Sequence, residues 1–311
     1  MTETKLPCRI AFSPIEVGDK ALFEAYLSAE EGRGCEFSFA NLYLWGEQSF
    51  AEIYGHLVLF SRFGKRTVYP YPLGAGEKKE VLDAMINDAR ARGIRCLITG
   101  VSPQAKEEIE RLYPGRFRFG SDEGTFDYVY RIDDLADLPG KKYHAKRNHL
   151  ARFAEAYPDA AAEVITEENL PLAAQMMREW YAEREAEDPS ADFVLEKEAT
   201  QKALRDWQSL SMEGMILRDG DSVLAVTLGS FLSAETFDVQ FEKARRGVQG
   251  AYAAINRAFA QYIREKYPSV RYLDREEDMG IEGLRQAKKS YHPLYRIEKF
   301  RAEYMEGEDA D

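Results

Sequence analysis

The chain has 311 residues, 45% of them hydrophobic and 31% charged, a balance too apolar for a disordered protein and too charged for a membrane protein. Its length calls for two domains with their own cores. With 54 acids against 42 Lys and Arg the net charge is −12, which argues against a chain that coats nucleic acid; any polyanion would need a local basic patch.

The N-terminus, MTETKLPCRIAF, has no apolar signal region, and the longest mostly apolar stretch, Val223–Leu232, is about half a membrane span. Cys8, Cys35 and Cys96 are odd in number and widely spaced, so neither a disulfide framework nor a zinc knuckle is expected. These features predict a reduced, cytoplasmic protein.

Taken in order, the pattern predicts helices at Glu16–Ala29 and Phe37–Gln48, then strands at Glu52–Phe63 and Arg66–Tyr71 with Gly64 at the turn. Gly74-Ala75-Gly76 opens a helix, Glu77–Arg92, stopped by Gly93. A buried strand (Cys96–Thr99), a helix from Ser102-Pro103 and strands near Phe117 and at Phe126–Ile132 follow.

The second half repeats this order. Amphipathic helices at Asn169–Glu187 and Leu195–Leu210 precede strands at Gly214–Arg218, Ser222–Phe231 and Thr236–Phe241, with Asp219-Gly220 as a hairpin turn. Gly247 and Gly250 then lead a helix, Ala251–Lys266, followed by a strand (Val270–Leu273), a helix (Ile281–Lys289) and a last strand (Leu294–Phe300). The repetition predicts an α/β fold built from a duplicated unit, joined near Asp133–Gly140. The expected divisions are 1–134, 135–301 and a solvated acidic tail, 302–311.

Three segments carry candidate chemistry. Between 135 and 152 lie five Lys or Arg and one acid, Asp137. On a helix Lys142, Lys146 and His149 would share a face able to hold phosphates, unless the charges merely pair with neighbouring acids. The turn Arg245–Ala251 offers Gly247 and Gly250 before a helix N-terminus, a place for a pyrophosphate or an ordinary turn. Asp274–Asp278 sits where a short strand ends, and Arg285 and Lys288 follow on one helix face. An open α/β sheet places ligands at such strand ends, although five acids and five bases in Arg271–Lys289 also suit a self-paired surface. No P-loop, GxSxG elbow, HExxH or full GxGxxG is present, so no metal, flavin or nicotinamide is expected.

The same segments resemble a bacterial family named for the C-terminal domain of phosphatidylglycerol lysyltransferase. The residues that carry it are Leu138–His144 with Lys146-Arg147-Asn148, then Phe241–Ala244 with Gly250-Ala251-Tyr252 and Ile255-Asn256. Arg275–Ile281, Gly283-Leu284-Arg285, Ala287-Lys288 and Ser290–Pro293 complete it. The likeness spans most of the chain, departing at Asp274 and Met279, and at the family's preceding membrane region, which this sequence lacks. It implies two GNAT-like lobes, each a mixed sheet flanked by helices, and kinship with enzymes that move aminoacyl groups from transfer RNA.

The expected activity is therefore acyl or aminoacyl transfer, with aminoacyl-tRNA or acyl-CoA as donor and an unnamed small-molecule or peptide acceptor. Lys142, Lys146 and Arg147 would hold donor phosphates, and Tyr252 and Asn256 would line the cleft. Glu276 or Asp278 would act as base or bind an amine, and Arg285, Lys288 and Tyr291 would frame the acceptor. The alternatives are an acyl-CoA-dependent N-acyltransferase, with Gly247 and Gly250 on the pyrophosphate, and a non-enzymatic protein that binds an anion or a partner.

Overall fold

Two seven-stranded mixed sheets organise the chain in the computed structural model, which describes residues 9–28, 34–189 and 193–306. Cys8 and residues 307–311 of the expected tail lie outside the described residues.

The first unit comprises the described residues up to Phe126 and those from Ile297 onward. It runs β1 (Ser13–Pro14), α1 (Lys20–Leu27), α2 (Phe39–Leu44), β2 (Glu47–Ile53), β3 (His56–Phe63), β4 (Arg66–Pro70), α3 (Lys79–Arg92), β5 (Leu97–Val101), α4 (Pro103–Leu112) and β6 (Phe117–Ser121). The second unit, Asp127–Arg296, holds β7 (Asp127–Arg131), α5 (Ile132–Asp137), α6 (His144–Ala156), β8 (Ala161–Val164), α7 (Leu170–Glu187), α8 (Val194–Arg205), β9 (Glu213–Asp219) and β10 (Ser222–Phe231). It continues with β11 (Thr236–Ala244), α9 (Ala251–Lys266), β12 (Tyr272–Asp274), α10 (Glu282–Lys289) and β13 (Tyr295–Ile297); β14 (Phe300–Tyr304) ends the described chain.

Local chemistry sets these boundaries. Ser38 and Ser102 cap α2 and α4 by accepting the N–H groups of Asn41 and Ala105, each at 3.1 Å, and Gly93 ends α3 at φ 67°. Helix α9 buries Ile255, Phe259 and Ile263, four residues apart, in a core with Phe237, Leu273 and Tyr130.

The strand orders are β1-β2-β3-β4-β5-β14-β6 and β13-β7-β12-β11-β10-β9-β8. In each sheet an antiparallel meander leads to a parallel neighbour across a helix, β4 to β5 through α3 and β11 to β12 through α9. The slot between β5 and β6 is filled by β14, whose Ala302 pairs with Ile98 and Phe119. The slot between β12 and β13 is filled by β7, with Leu273 opposite Tyr130. Each half of the sequence therefore lends its last strand to the other half's sheet.

This exchange corrects the expected divisions. The unit boundary falls at Phe126 and Asp127, and the segment read as a junction folds as α5 within the second unit. Residues 302–304 are strand rather than solvated tail: Glu303 accepts from Arg95 at 2.9 Å and Arg118 at 2.6 Å, and Glu306 from Arg90 at 2.8 Å. The expected last strand divides into β13 and β14, one for each sheet. The second expected helix stops at Leu44, because Gly46 adopts φ 67° and a Cβ there would stand 2.7 Å from the Arg62 carbonyl; the chain turns into β2 instead. A hairpin turn at Tyr54-Gly55, both at positive φ, separates β2 from β3.

Candidate active site

The parallel pairing of β11 and β12 ends at Asp238 and Asp274, yet β11 continues to Ala244. Such C-terminal strand ends are where an open α/β sheet accommodates a ligand. The chain places Glu242 on this stretch, which pairs with β10 but has passed the end of β12, Arg275 just past β12 and Asn256 on the second turn of α9.

Glu242 joins the other two. Its Oε1 accepts from Arg275 Nη2 at 2.8 Å and its Oε2 from Asn256 Nδ2 at 3.1 Å, with side-chain exposures of 9% for Glu242 and 13% for Arg275. The remaining ends point nowhere: Arg275 Nη1 and Asn256 Oδ1 are buried without a hydrogen-bond partner, as are Gln240 Oε1 and Thr227 Oγ1 on neighbouring strands. A buried orphan donor or acceptor costs about 1–3 kcal/mol. Two orphans of opposite kind, both held by one carboxylate, leave space in hydrogen-bonding terms for a ligand that both accepts and donates.

Tyr291 forms an aromatic platform at this cluster. Arg275 stacks on its ring at 4.9 Å, and Lys146 Nζ lies 3.7 Å from the ring centroid. Burial pushes the Tyr291 hydroxyl up to about 12. Among the described residues Lys146 makes no ion pair, and burial, then the Arg275 charge, pull its amine down to about 8 against a smaller opposing pull from Glu242. The basic segment thus contributes one amine to the strand-end site, and it comes from α6.

Lys142 and Arg147 do not join it. Lys142 precedes α6 in a 3-10 turn and pairs with Asp134 at 3.2 Å, so the shared helical face does not form. Arg147 Nη1 donates to the carbonyls of Leu138 at 2.5 Å and Gly140 at 2.8 Å, closing the backbone after α5 where Leu138 adopts φ 49°. Both residues satisfy partners that the sequence pattern left unassigned.

Asp278 is not a free base. Its Oδ1 accepts from the Gly280 N–H at 2.9 Å and Arg285 Nη2 at 3.1 Å, and its Oδ2 from Tyr128 at 2.6 Å and Arg285 Nε at 3.0 Å. Burial alone would raise this carboxyl; the bonds from Arg285, Tyr128 and Gly280 outweigh it and hold the group below the usual carboxylate range. Arg285 is consumed by the same clamp. Lys288, pushed below the ordinary lysine value by burial, donates to the carbonyls of Arg275 and Glu277, and Tyr130 donates to the Lys288 carbonyl at 2.8 Å. Glu276 adopts φ 55°, with its N–H on Asp274 Oδ1 at 2.8 Å and its carboxylate opposing the shift at Lys288. These residues brace the loop that presents Arg275.

The glycine turn before α9 is also mostly engaged by protein. A Cβ on Gly250 would stand 2.4 Å from the His149 carbonyl, so this glycine admits α6. Arg245 pairs with Glu179 and Glu183, and Arg246 with Glu187, all on α7. Gly247 is open on its Cβ side at φ 80°, and Tyr252, half-exposed, stands one turn before Asn256.

The sequence reading missed Glu242 and Arg275 as site residues, although both lie in segments that carry the family resemblance. The available signal was an acid on a strand whose neighbour ends early, facing an arginine at that neighbour's end.

Comparison with known proteins fixes the kinship. A model of the family described as phosphatidylglycerol lysyltransferase, C-terminal, matches residues 29–303. The chain belongs to this family. A conserved protein of unknown function from Bacteroides thetaiotaomicron superposes at TM-score 0.87 with 36% identity, covering 95% of this chain and 99% of that one. L-PGS from Bacillus licheniformis superposes at 0.65 with 17% identity over 93% and 92%. A tandem GNAT protein from the clavulanic acid pathway shares the fold at 0.51 with 10% identity over 94% and 98%. An uncharacterised Mycoplasmoides gallisepticum protein is 25% identical over 182 residues, which is 57% of this chain and only 56% of that protein. The architecture is the tandem GNAT-like fold. Among the described residues no helix is long and apolar enough to cross a membrane.

Proposed function

We propose that the second unit transfers an aminoacyl group from an activated ester, aminoacyl-tRNA being the donor class, to an amine or hydroxyl acceptor. The observation that carries this reading is the pair of buried orphans, Arg275 Nη1 and Asn256 Oδ1. An α-amino carbonyl matches them: its oxygen accepts from the guanidinium and its ammonium donates to the amide. A plain acyl group would leave Asn256 Oδ1 unpaired, at the cost of an unsatisfied buried acceptor.

In this mechanism the acceptor attacks the donor carbonyl carbon while Lys146, an amine near 8, takes the proton that the acceptor sheds. Arg275 Nη1 meets the charge developing on the carbonyl oxygen. As the intermediate collapses, the carbon–oxygen bond to the transfer RNA ribose breaks and Lys146 returns the proton to the leaving oxygen. The placement of Glu242 between Arg275 and Asn256 holds both in register.

Acyl-CoA is the second reading, favoured by the open Gly247 at the start of α9. Titration of the protein with a non-hydrolysable aminoacyl-tRNA analogue, uncharged tRNA and coenzyme A separates them. The expected result is at least tenfold tighter binding of the charged than the uncharged RNA, lost in Arg275→Gln. Binding of coenzyme A alone would replace this reading with the second, and binding of none would favour a non-enzymatic role.

A further inference from the structure

We propose that Cys35 and Lys299 of the first unit are a redox-sensitive pair that closes into a covalent S–O–N cross-link under peroxide. Lys299 Nζ lies 3.6 Å from Cys35 Sγ and 2.6 Å from Glu36 Oε2, and both Cys35 and Lys299 are 8% exposed. Cys35 begins a 3-10 turn and Lys299 immediately precedes β14, so the pair ties the early chain to its returning end.

The triad lies against Gly34. Its φ of −74° is open to any residue, yet a Cβ there would stand 2.3 Å from Glu36 Oε2 and 2.5 Å from Lys299 Cε. The space beside the glycine is filled by the ends of the Glu36 and Lys299 side chains, which bring an amine, a carboxylate and the Cys35 thiol into mutual reach.

The chemistry balances with a peroxide as oxidant. Peroxide attacks the thiolate form, and at Cys35 the sulfur lies within reach of an acceptor for its proton, Glu36 Oε2 at 3.9 Å, and of the Lys299 amine at 3.6 Å. One hydrogen peroxide takes Cys35 to the sulfenic acid and leaves as water. The Lys299 amine, its proton passed to Glu36, then forms the nitrogen–oxygen bond as a second peroxide accepts two electrons. In total one thiol, one amine and two hydrogen peroxide molecules give the S–O–NH bridge and three waters; sulfur and nitrogen each lose two electrons. Cys96 provides a contrast within the same unit: burial, then the nearby Asp88 charge, push its thiol up to about 12, which leaves it inert.

The test is peptide mapping by mass spectrometry of the full chain after hydrogen peroxide and then iodoacetamide. The expected product joins the Cys35 and Lys299 peptides, with a mass gain of one oxygen less two hydrogens, and is released by dithiothreitol. Glu36→Gln should slow its formation several-fold, Lys299→Arg should abolish it, and the linked wild-type protein should melt at a higher temperature than the reduced one. Alkylated Cys35 after peroxide, or Cys35 sulfinic acid without a joined peptide, overturns the proposal, and both are read on the wild-type chain even if a variant fails to fold.

Discussion

The two units share an element order but differ in the buried polar residue on the helix after each glycine turn, Asp88 on α3 and Asn256 on α9. In the first, Asp88 is fully buried and saturated, accepting from the Ile10 N–H at 2.7 Å, Tyr69 at 2.6 Å and Arg92 at 2.7 Å. The glycine turn before α3 is likewise filled from within, because the buried Lys78 side chain donates to the Gly74 carbonyl. In the second, the equivalent region leaves Arg275 Nη1 and Asn256 Oδ1 without partners and Lys146 without an acid. The unsatisfied groups are what the proposed transfer at the second unit rests on.

The strongest test of that contrast removes the saturated carboxylate. Asp88→Ala strands an amide, a phenol and a guanidinium, and should cost about 4 kcal/mol by chemical denaturation. Ligand affinity at the second unit, measured where the variant is still folded, should not change. A large affinity loss would mean that the units are not separable in function.

Asp278→Asn should cost about 3 kcal/mol by breaking the Arg285 clamp, whose arginine is 26% exposed. The sign with pH follows from a depressed carboxyl: its stabilisation is complete above the ordinary aspartate range and is lost as pH falls below it. Wild-type stability should therefore drop on acidification more steeply than that of the variant. Equal slopes would show that the clamp is not electrostatic.

Lys146→Met should leave the melting temperature nearly unchanged while slowing transfer by about 10²–10⁴-fold, the range for a lost proton acceptor. Because the folded amine titrates near 8, below an ordinary lysine, its unfolded state holds more protons between those values. Wild-type stability relative to the variant should rise with pH across that window. The smallest effect is expected from Lys142→Ala: its pair with Asp134 is exposed, worth under about 1 kcal/mol, and binding should not respond.

Sequence periodicity made the repeated helices and meanders legible because α3, α9 and the β9–β10 hairpin are encoded locally by apolar spacing and turn glycines. The exchange of β7 and β14 was hidden, since either strand pattern suits either sheet and pairing is decided by contacts across the whole chain. Charge alone also misled at Lys142 and Arg147: a basic run looks the same whether it awaits an anion or already holds Asp134 and backbone carbonyls. Lys146 differs from them in its neighbours, Tyr291 and Arg275, which lie over a hundred residues away in sequence.

The exchanged strands bear on how the protein is made. A ribosome releases the first half of the chain early, but the gap between β5 and β6 closes only with Phe300–Tyr304, made after every strand of the second sheet. Most domains fold as they emerge. Here the first sheet must wait with its central edges unpaired until the second sheet's strands have all been made, whereas the second sheet receives β7 before any of its other strands exist. The order of birth is therefore the reverse of the order of completion, and loss of Phe300–Tyr304 would damage the half that was made first.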